Sequence, residues 1–188
     1  MKRELWYLVV VRDRHGKVVS RERRKSKSFV RGWNDVIYIH TTGASDTVKD
    51  IGGVVRAITP MAHQLKMLSL ASKEDEWSIA IGTGDTAVTI SDYALEAVIP
   101  HGTGAGEMSY QDPTVNESVV SAPNCGFLVE RAFVNNSGAE ITVKESTIYS
   151  PFDAPGNSIC LIRDVFVSPQ AVPNGGSLSM NYTLRVTA

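Results

Sequence analysis

The stretch VPNGGSLSMNYTLRV, residues 172–186, decides the predicted fold. From residue 178 onward apolar and polar side chains alternate strictly, which is typical of a β-strand with one buried face. Asn174-Gly175 tolerates the positive φ values of a tight hairpin turn. We therefore expect this strand to pair antiparallel, through that turn, with the preceding strand, which we expect to end at Val167. The alternating residues are Leu178, Met180, Tyr182, Leu184 and Val186 against Ser179, Asn181, Thr183 and Arg185.

The same β signal continues upstream as far as Trp77. Short β-type segments are separated by Gly, Asn and Pro at roughly even intervals, a pattern that indicates antiparallel sheets. We predict a mainly β chain that folds as an antiparallel, jelly-roll-like β-sandwich. The predicted strands upstream of the last one are WSIAIG, AVTISDYALEAVI, EMSYQD, ESVVSA, GFLVERAFV, EITVKESTIY and SICLIRDVFV.

The N-terminal region has a different organisation. LWYLVVVRD, the turn RHGK and VVSRERRKS predict a β-hairpin. Ser28 is expected to cap one short helix over residues 29–40, with Gly43 as its stop. Further on, VVRAI predicts a strand, whereas HQLKMLSL fits a strand or a helix. We divide the chain into a basic hairpin-helix docking arm, residues 1–43, and a β-sandwich domain, residues 44–188.

Composition places the chain among soluble globular proteins. It has 188 residues, of which 43% are hydrophobic and 21% charged. The longest apolar run, around residues 5–11, is too short to span a bilayer, and the N-terminus lacks the pattern of a signal peptide, so we expect no membrane association. Cys125 and Cys160 show no metal-ligand spacing, and we expect buried thiols.

The net charge of −1 hides a strong polarity. The first 31 residues contain eleven Lys and Arg against three Asp and Glu, a net +8, and the remainder carries −9. Such asymmetry predicts an acidic partner: nucleic acid, another protein or the acidic body of a neighbouring copy. A subunit contact or a solvated face is favoured over nucleic acid, because no aromatic residue interrupts the basic run. The predicted contact residues are Arg21, Arg23, Arg24, Lys25 and Lys27, together with Arg185.

No motif in the sequence indicates catalysis. The four histidines are far apart and form no zinc-type pattern, and there is no G-x-S-x-G elbow. The stretch IGTGDT, residues 81–86, leads into a β-type segment rather than a helix, so we predict a hairpin turn and not a phosphate loop. Asp164 is expected to be a buried hydrogen-bonding anchor. We therefore expect no enzyme activity, cofactor or metal.

Several segments together resemble a family of small virion structural proteins of tailed bacteriophages and related viruses. The resemblance covers most of the chain except residues 44–76, and its motifs mark a fold rather than an active site. It is carried by DRHGKVVSRERRKSKSFVRGW, IAIGTGDTAVTISDYALE, GFLVERAFVNNSGAEITVKESTIY and ICLIRDVFVSPQAVPNGGSLSMNYTLRV.

The resemblance implies a non-enzymatic virion component that assembles as repeated copies, with itself and with other virion proteins, on the capsid surface or in a neck or tail appendage. Two alternatives stay open. One is a carbohydrate- or receptor-binding module of a tail fibre that uses the loops 102–112 and 151–157, which contain Tyr110 and Phe152. The other is a nucleic-acid contact through the basic N-terminal region.

Overall fold

A computed structural model describes residues 2–26, 28–60, 75–151 and 157–188. They form a mainly β, β-sandwich-like fold of antiparallel strands, with an N-terminal strand pair and one short helix, which confirms the predicted fold class. The elements are β1 Lys2–Arg12, β2 Val18–Ser26, α1 Arg31–Thr42, β3 Asp46–Lys49, β4 Val55–Ile58, β5 Ser78–Gly82, β6 Ser109–Tyr110, β7 Thr114–Val115, β8 Val119–Ser121, β9 Asn124–Val134, β10 Ile141–Pro151, β11 Ser158–Val172 and β12 Ser177–Thr187.

The strands of the described ranges form three sheets. The largest has seven strands in the order β2-β1-β12-β9-β6, with β7 and β8 also paired to β9. A second sheet has the order β11-β10-β5, and β3 and β4 form a third. The chain divides into two compact units: unit 1 comprises residues 1–27, 99–143 and 167–188, and unit 2 comprises residues 28–98 and 144–166. Strands β10 and β11 contribute residues to both.

In unit 1 the period-two pattern of the sequence becomes a buried and an outer sheet face. Tyr7 of β1 lies directly opposite Tyr182 of β12, and their rings meet edge to face at 6.5 Å. Every second residue of both strands is buried, so the hairpin strand β1 is a central core strand. The buried residues of these two strands are Leu5, Tyr7, Val9, Val11, Leu178, Met180, Tyr182 and Leu184.

The inner side of β2 is tied to the end of β11 that belongs to unit 1. The Ser20 hydroxyl donates to Gln170 Oε1 at 2.6 Å, and the Ser168 backbone N–H donates to Glu22 Oε2 at 3.3 Å. Glu22 also accepts the Tyr7 hydroxyl at 2.7 Å. These bonds fix the side of β2 that carries Ser20 and Glu22. The alternate side chains of the strand point to the outer face of the sheet.

The domain boundaries differ from the predicted division at residue 43. The hairpin lies in unit 1, where β1 pairs along its whole length with β12, whereas α1 lies in unit 2. The N-terminal residues thus belong to the core of the seven-stranded sheet rather than to a separate docking arm. The physical reason is the apolar row of β1, which stays buried only while that face of the strand packs on the core of unit 1.

The prediction that the Asn174-Gly175 turn pairs the last strand with the preceding one is wrong. Strand β12 pairs with β1 and β9, and β11 pairs with β10. The buried Asn135 takes the hydrogen bonds at this turn: its side chain donates to Val172 O at 2.8 Å, and its backbone exchanges bonds with Gly175 and Gly176. The turn therefore carries the chain from one sheet to another.

In unit 2 the predicted helix begins later than expected. Val30 occupies the N-cap position without a side-chain hydrogen bond, so the Ser28 cap was wrong. The Ser28 hydroxyl instead donates to Asp164 Oδ1 at 2.8 Å, which confirms Asp164 as a buried hydrogen-bonding anchor. Gly43 ends the helix as predicted, in the left-handed region at φ 68°, with its N–H bound to Ile39 O.

Four further predictions concern segments between α1 and β6, and their outcomes differ. All of VVRAI except its first residue, Val54, forms strand β4 as expected, and HQLKMLSL lies outside the described residues. The predicted strand at residues 87–99 is wrong, because this segment is a loop whose link to β5 is an isolated bridge between Gly82 and Val98. IGTGDT is accordingly the end of β5 and the start of that loop, not a hairpin turn.

A matched pair of valine substitutions tests the central place of β1. Val9 is fully buried in β1, and Val19 of the adjacent strand is 52% exposed. Val9→Ala is expected to lower the free energy of unfolding by about 2 kcal/mol, because it removes two buried methyl groups and leaves a cavity. Val19→Ala is expected to change it by less than about 0.5 kcal/mol. Chemical denaturation measures both, and equal effects would contradict the placement of β1.

Candidate functional site

The predicted basic residues lie on the edge strand β2 of the seven-stranded sheet. Arg21, Arg23 and Lys25 stand opposite Val10, Leu8 and Trp6 of β1, on the outer face. Together with Arg24 they are exposed. Lys27 lies outside the described residues.

The sixth predicted residue, Arg185, belongs to a cluster around Glu4. Its guanidinium donates to Glu4, which also accepts Lys25 Nζ at 2.9 Å and Trp6 Nε1 at 3.3 Å. These hydrogen bonds, that of Arg185 first, lower the pKa of Glu4 to about 2. The structure brings Arg185 and Lys25 together through one carboxylate, a link that the sequence did not reveal.

The remaining cations of β2 have weaker attachments. The Arg23 guanidinium lies over the Trp6 ring at 5.0 Å from the centroid, and Arg24 Nε is 3.3 Å from Glu22 Oε1. The Arg24 side chain is half-exposed. Contacts of such exposed guanidinium groups contribute little to stability, so these cations remain available to a partner.

A trough of about 540 Å³ crosses the outer face of the same sheet. Half-buried Leu8 and Val10 form part of its floor. Arg12 and Arg21 lie toward the β2 edge, whereas Asp112 and Glu130 come from the β7–β9 side. Sequence reasoning missed the acidic side, although the period-two pattern of β9 places Glu130 outward. The other lining residues are Val18, Thr114, Arg131, Ala132, Ser179 and Asn181.

Unit 2 contains a second, buried cluster of charges. Glu145 of β10 and Arg163 of β11 are both almost fully buried, and Arg163 Nε lies 2.9 Å from Glu145 Oε2. Arg163 also contacts Asp92 at 2.8 Å and Glu96 at 3.7 Å. One buried guanidinium thus joins two neighbouring strands to the loop that follows β5.

The carboxylates of this cluster hold the loop at residues 83–97. Glu145 accepts the backbone N–H groups of Gly84 at 3.1 Å and of Ala97 at 3.0 Å. Glu96 accepts those of Asp85 at 3.0 Å and of Thr86 at 2.9 Å. The N–H groups that a phosphate loop would direct at a ligand therefore bind the protein's own carboxylates, which also explains why this segment is no strand.

The cluster keeps its outer carboxylates ionised. Partial desolvation raises the pKa of Asp92, but hydrogen bonds from Thr89 and Arg163 outweigh it, and the net shift is downward. Hydrogen bonds from the Thr86 backbone and hydroxyl lower the pKa of Glu96. Because these groups are hydrogen-bonded and ion-paired, they stabilise the attachment of the loop at residues 83–97 to β10 and β11.

The structure describes the first of the two candidate glycan-binding loops, residues 102–112, and only part of the second, residues 151–157. Tyr110 is buried, packs edge to face on Phe133 at 4.7 Å and donates its hydroxyl to Ile99 O at 2.6 Å. It is therefore a core residue rather than a stacking platform. Phe152 and the rest of residues 152–156 lie outside the described residues.

Both cysteines are free. Cys160 is buried, as expected, and burial raises the pKa of its thiol to about 12, so it stays protonated at neutral pH. Cys125 is only half-buried, near the start of β9, which departs from the expectation of two buried thiols.

No family model, curated protein or solved structure matches the chain.

In the described ranges, no three His, Cys, Asp or Glu side chains are grouped so that they could hold a metal ion. The one helix found in those ranges is too short to span a membrane.

Removing one partner of the buried ion pair is expected to be costly. Arg163→Met should lower the free energy of unfolding by about 3–5 kcal/mol, because it leaves the Glu145 carboxylate buried without its counter-charge. Adding Glu145→Gln should recover part of that loss. Chemical denaturation of the two variants measures this, with Arg31→Met, which removes an exposed pair with Asp35, as the control. Similar small losses of unfolding free energy in all variants would contradict this stabilising role of the buried ion pair.

Proposed function

We propose that this protein is a non-enzymatic structural component of a tailed-virus particle. Repeated copies would assemble on the capsid surface or in a neck or tail appendage, which places the protein in the virion. The observation that carries the proposal is the exposed cationic edge strand β2 on a sheet of long antiparallel strands. The sequence resemblance described above supports the same function.

The charge distribution supports contacts between copies. Unit 1 contains twelve Lys and Arg against eight Asp and Glu, a net +4, and unit 2 contains seven against twelve, a net −5. Opposite potentials on one chain attract a second copy to the first and fix its orientation.

In the proposed assembly the contact is made by strand β2 within the sheet, not by an N-terminal arm that can detach from it. Because β1 is a central strand, the β1–β2 hairpin of the predicted arm, residues 1–43, cannot leave the sheet without exposing its core. The exposed row of β2, with Arg21, Arg23 and Lys25, takes over the contact role. The proposal therefore predicts effects of point substitutions on β2 rather than of deleting the N-terminus.

The two alternatives have less support. A site for single-stranded nucleic acid typically presents aromatic residues on which bases stack, and β2 contains none among its basic residues. A glycan site at residues 102–112 lacks its aromatic platform, because Tyr110 is buried.

The purified full chain is expected to form a discrete oligomer or tube. Light scattering should give a mass of several copies at about 0.1 M salt and a smaller one at about 1 M, because screening weakens contacts between exposed charges. Negative-stain microscopy should show one repeating shape. A monomer at every concentration and salt would contradict the proposal. A monomer that also binds oligonucleotides or arrayed glycans would favour the corresponding alternative.

A further inference from the structure

We propose that copies of this chain join edge to edge, with β2 of one copy beside the β7–β8 edge of the next. The contact would extend the seven-stranded sheet from one molecule into its neighbour. The inference rests on the proposed assembly of repeated copies, and it names the two surfaces that meet.

The seven-stranded sheet ends differently on its two sides. On one side β2 pairs with β1 and with no other described strand. On the other side β6, β7 and β8 follow one another along β9, and none of them pairs with a further described strand. Edge strands of this kind present unpaired backbone groups that a strand from another chain can bind.

The two edges carry opposite charge. Strand β2 has four cations and one anion, whereas residues 111–121 contain Asp112 and Glu117 and no cation. Both carboxylates belong to exposed residues. Charged edges normally prevent strands from pairing, and here two β2 strands would repel each other in the same way. A β2 strand and an acidic edge instead attract, which selects the unlike pair.

Both edges also expose apolar side chains that a contact would cover. Val18 and Val19 begin β2 and are 42% and 52% exposed. On the other edge Val119 and Val120 of β8 are 63% and 77% exposed. Unlike scattered surface valines, these lie in pairs on the two strands that the charges bring together. Burying them adds apolar area to the electrostatic attraction.

The geometry of the contact sets the form of the assembly. It joins two different surfaces of the molecule, so a bound pair of copies still has one free edge of each kind. Contacts of this heterologous type give a closed ring when the rotation between copies closes and an open filament when it does not. Either form suits a repeated component of a particle.

Two charge-reversed variants test the contact. Arg21→Glu with Arg24→Glu makes β2 acidic, and Asp112→Lys with Glu117→Lys makes the opposite edge basic. In each variant alone, like charges meet at the contact, and we expect assembly to weaken at least about tenfold. Mixed in equal amounts, the variants again offer unlike edges, and assembly should return.

The controls separate the possible failures. Circular dichroism confirms that each variant is folded, and Glu140→Lys, an exposed reversal in the β9–β10 loop, should assemble like the wild type. Val119→Ser with Val120→Ser should also weaken assembly, without any change of charge. If the wild type assembles and every variant assembles equally well, or the mixture stays dissociated, the edge contact is overturned while the proposed function stands. A wild type that never assembles overturns the proposed function itself.

Discussion

The pairing of β1 with β12 is the constraint on which the rest of unit 1 depends. Their register runs without a break from Lys2 opposite Thr187 to Arg12 opposite Ser177. It places the beginning and the end of the chain at the centre of one sheet. Because β1 lies between β12 and β2, the most basic segment of the chain becomes a sheet edge, and its cations face solvent.

The local sequence pattern was enough to predict a strand where one face of that strand is buried and the other is not. The alternation in β12 and the run LWYLVVVRD predicted their strands correctly, because a one-residue slip would turn every apolar side chain outward. Strand partners could not be predicted in the same way. The turn at Asn174-Gly175 fits a hairpin by its own chemistry, but Asn135, distant in sequence, binds its backbone and redirects the chain.

The conformation of residues 83–97 also could not be predicted from their own sequence, because distant residues determine it. This segment has β-type composition, yet Glu145 from a distant strand and Glu96 from the loop itself take its backbone N–H groups. Glu145 and Arg163 look like ordinary strand residues in the sequence, and only the fold shows that they are a buried pair. For the candidate site, charge counting found the cations of β2 but not the acidic edge, since residues 111–121 contain only very short strands.

The proposed contact covers both edges of the seven-stranded sheet when copies assemble. Amide hydrogen exchange of the full chain, compared between dilute and assembled samples, tests this most directly. We predict slower exchange in β2 and in residues 114–121 together on assembly, with the central strands β1 and β12 unchanged. Assembly that leaves exchange in both edges unaltered would contradict the edge-to-edge contact.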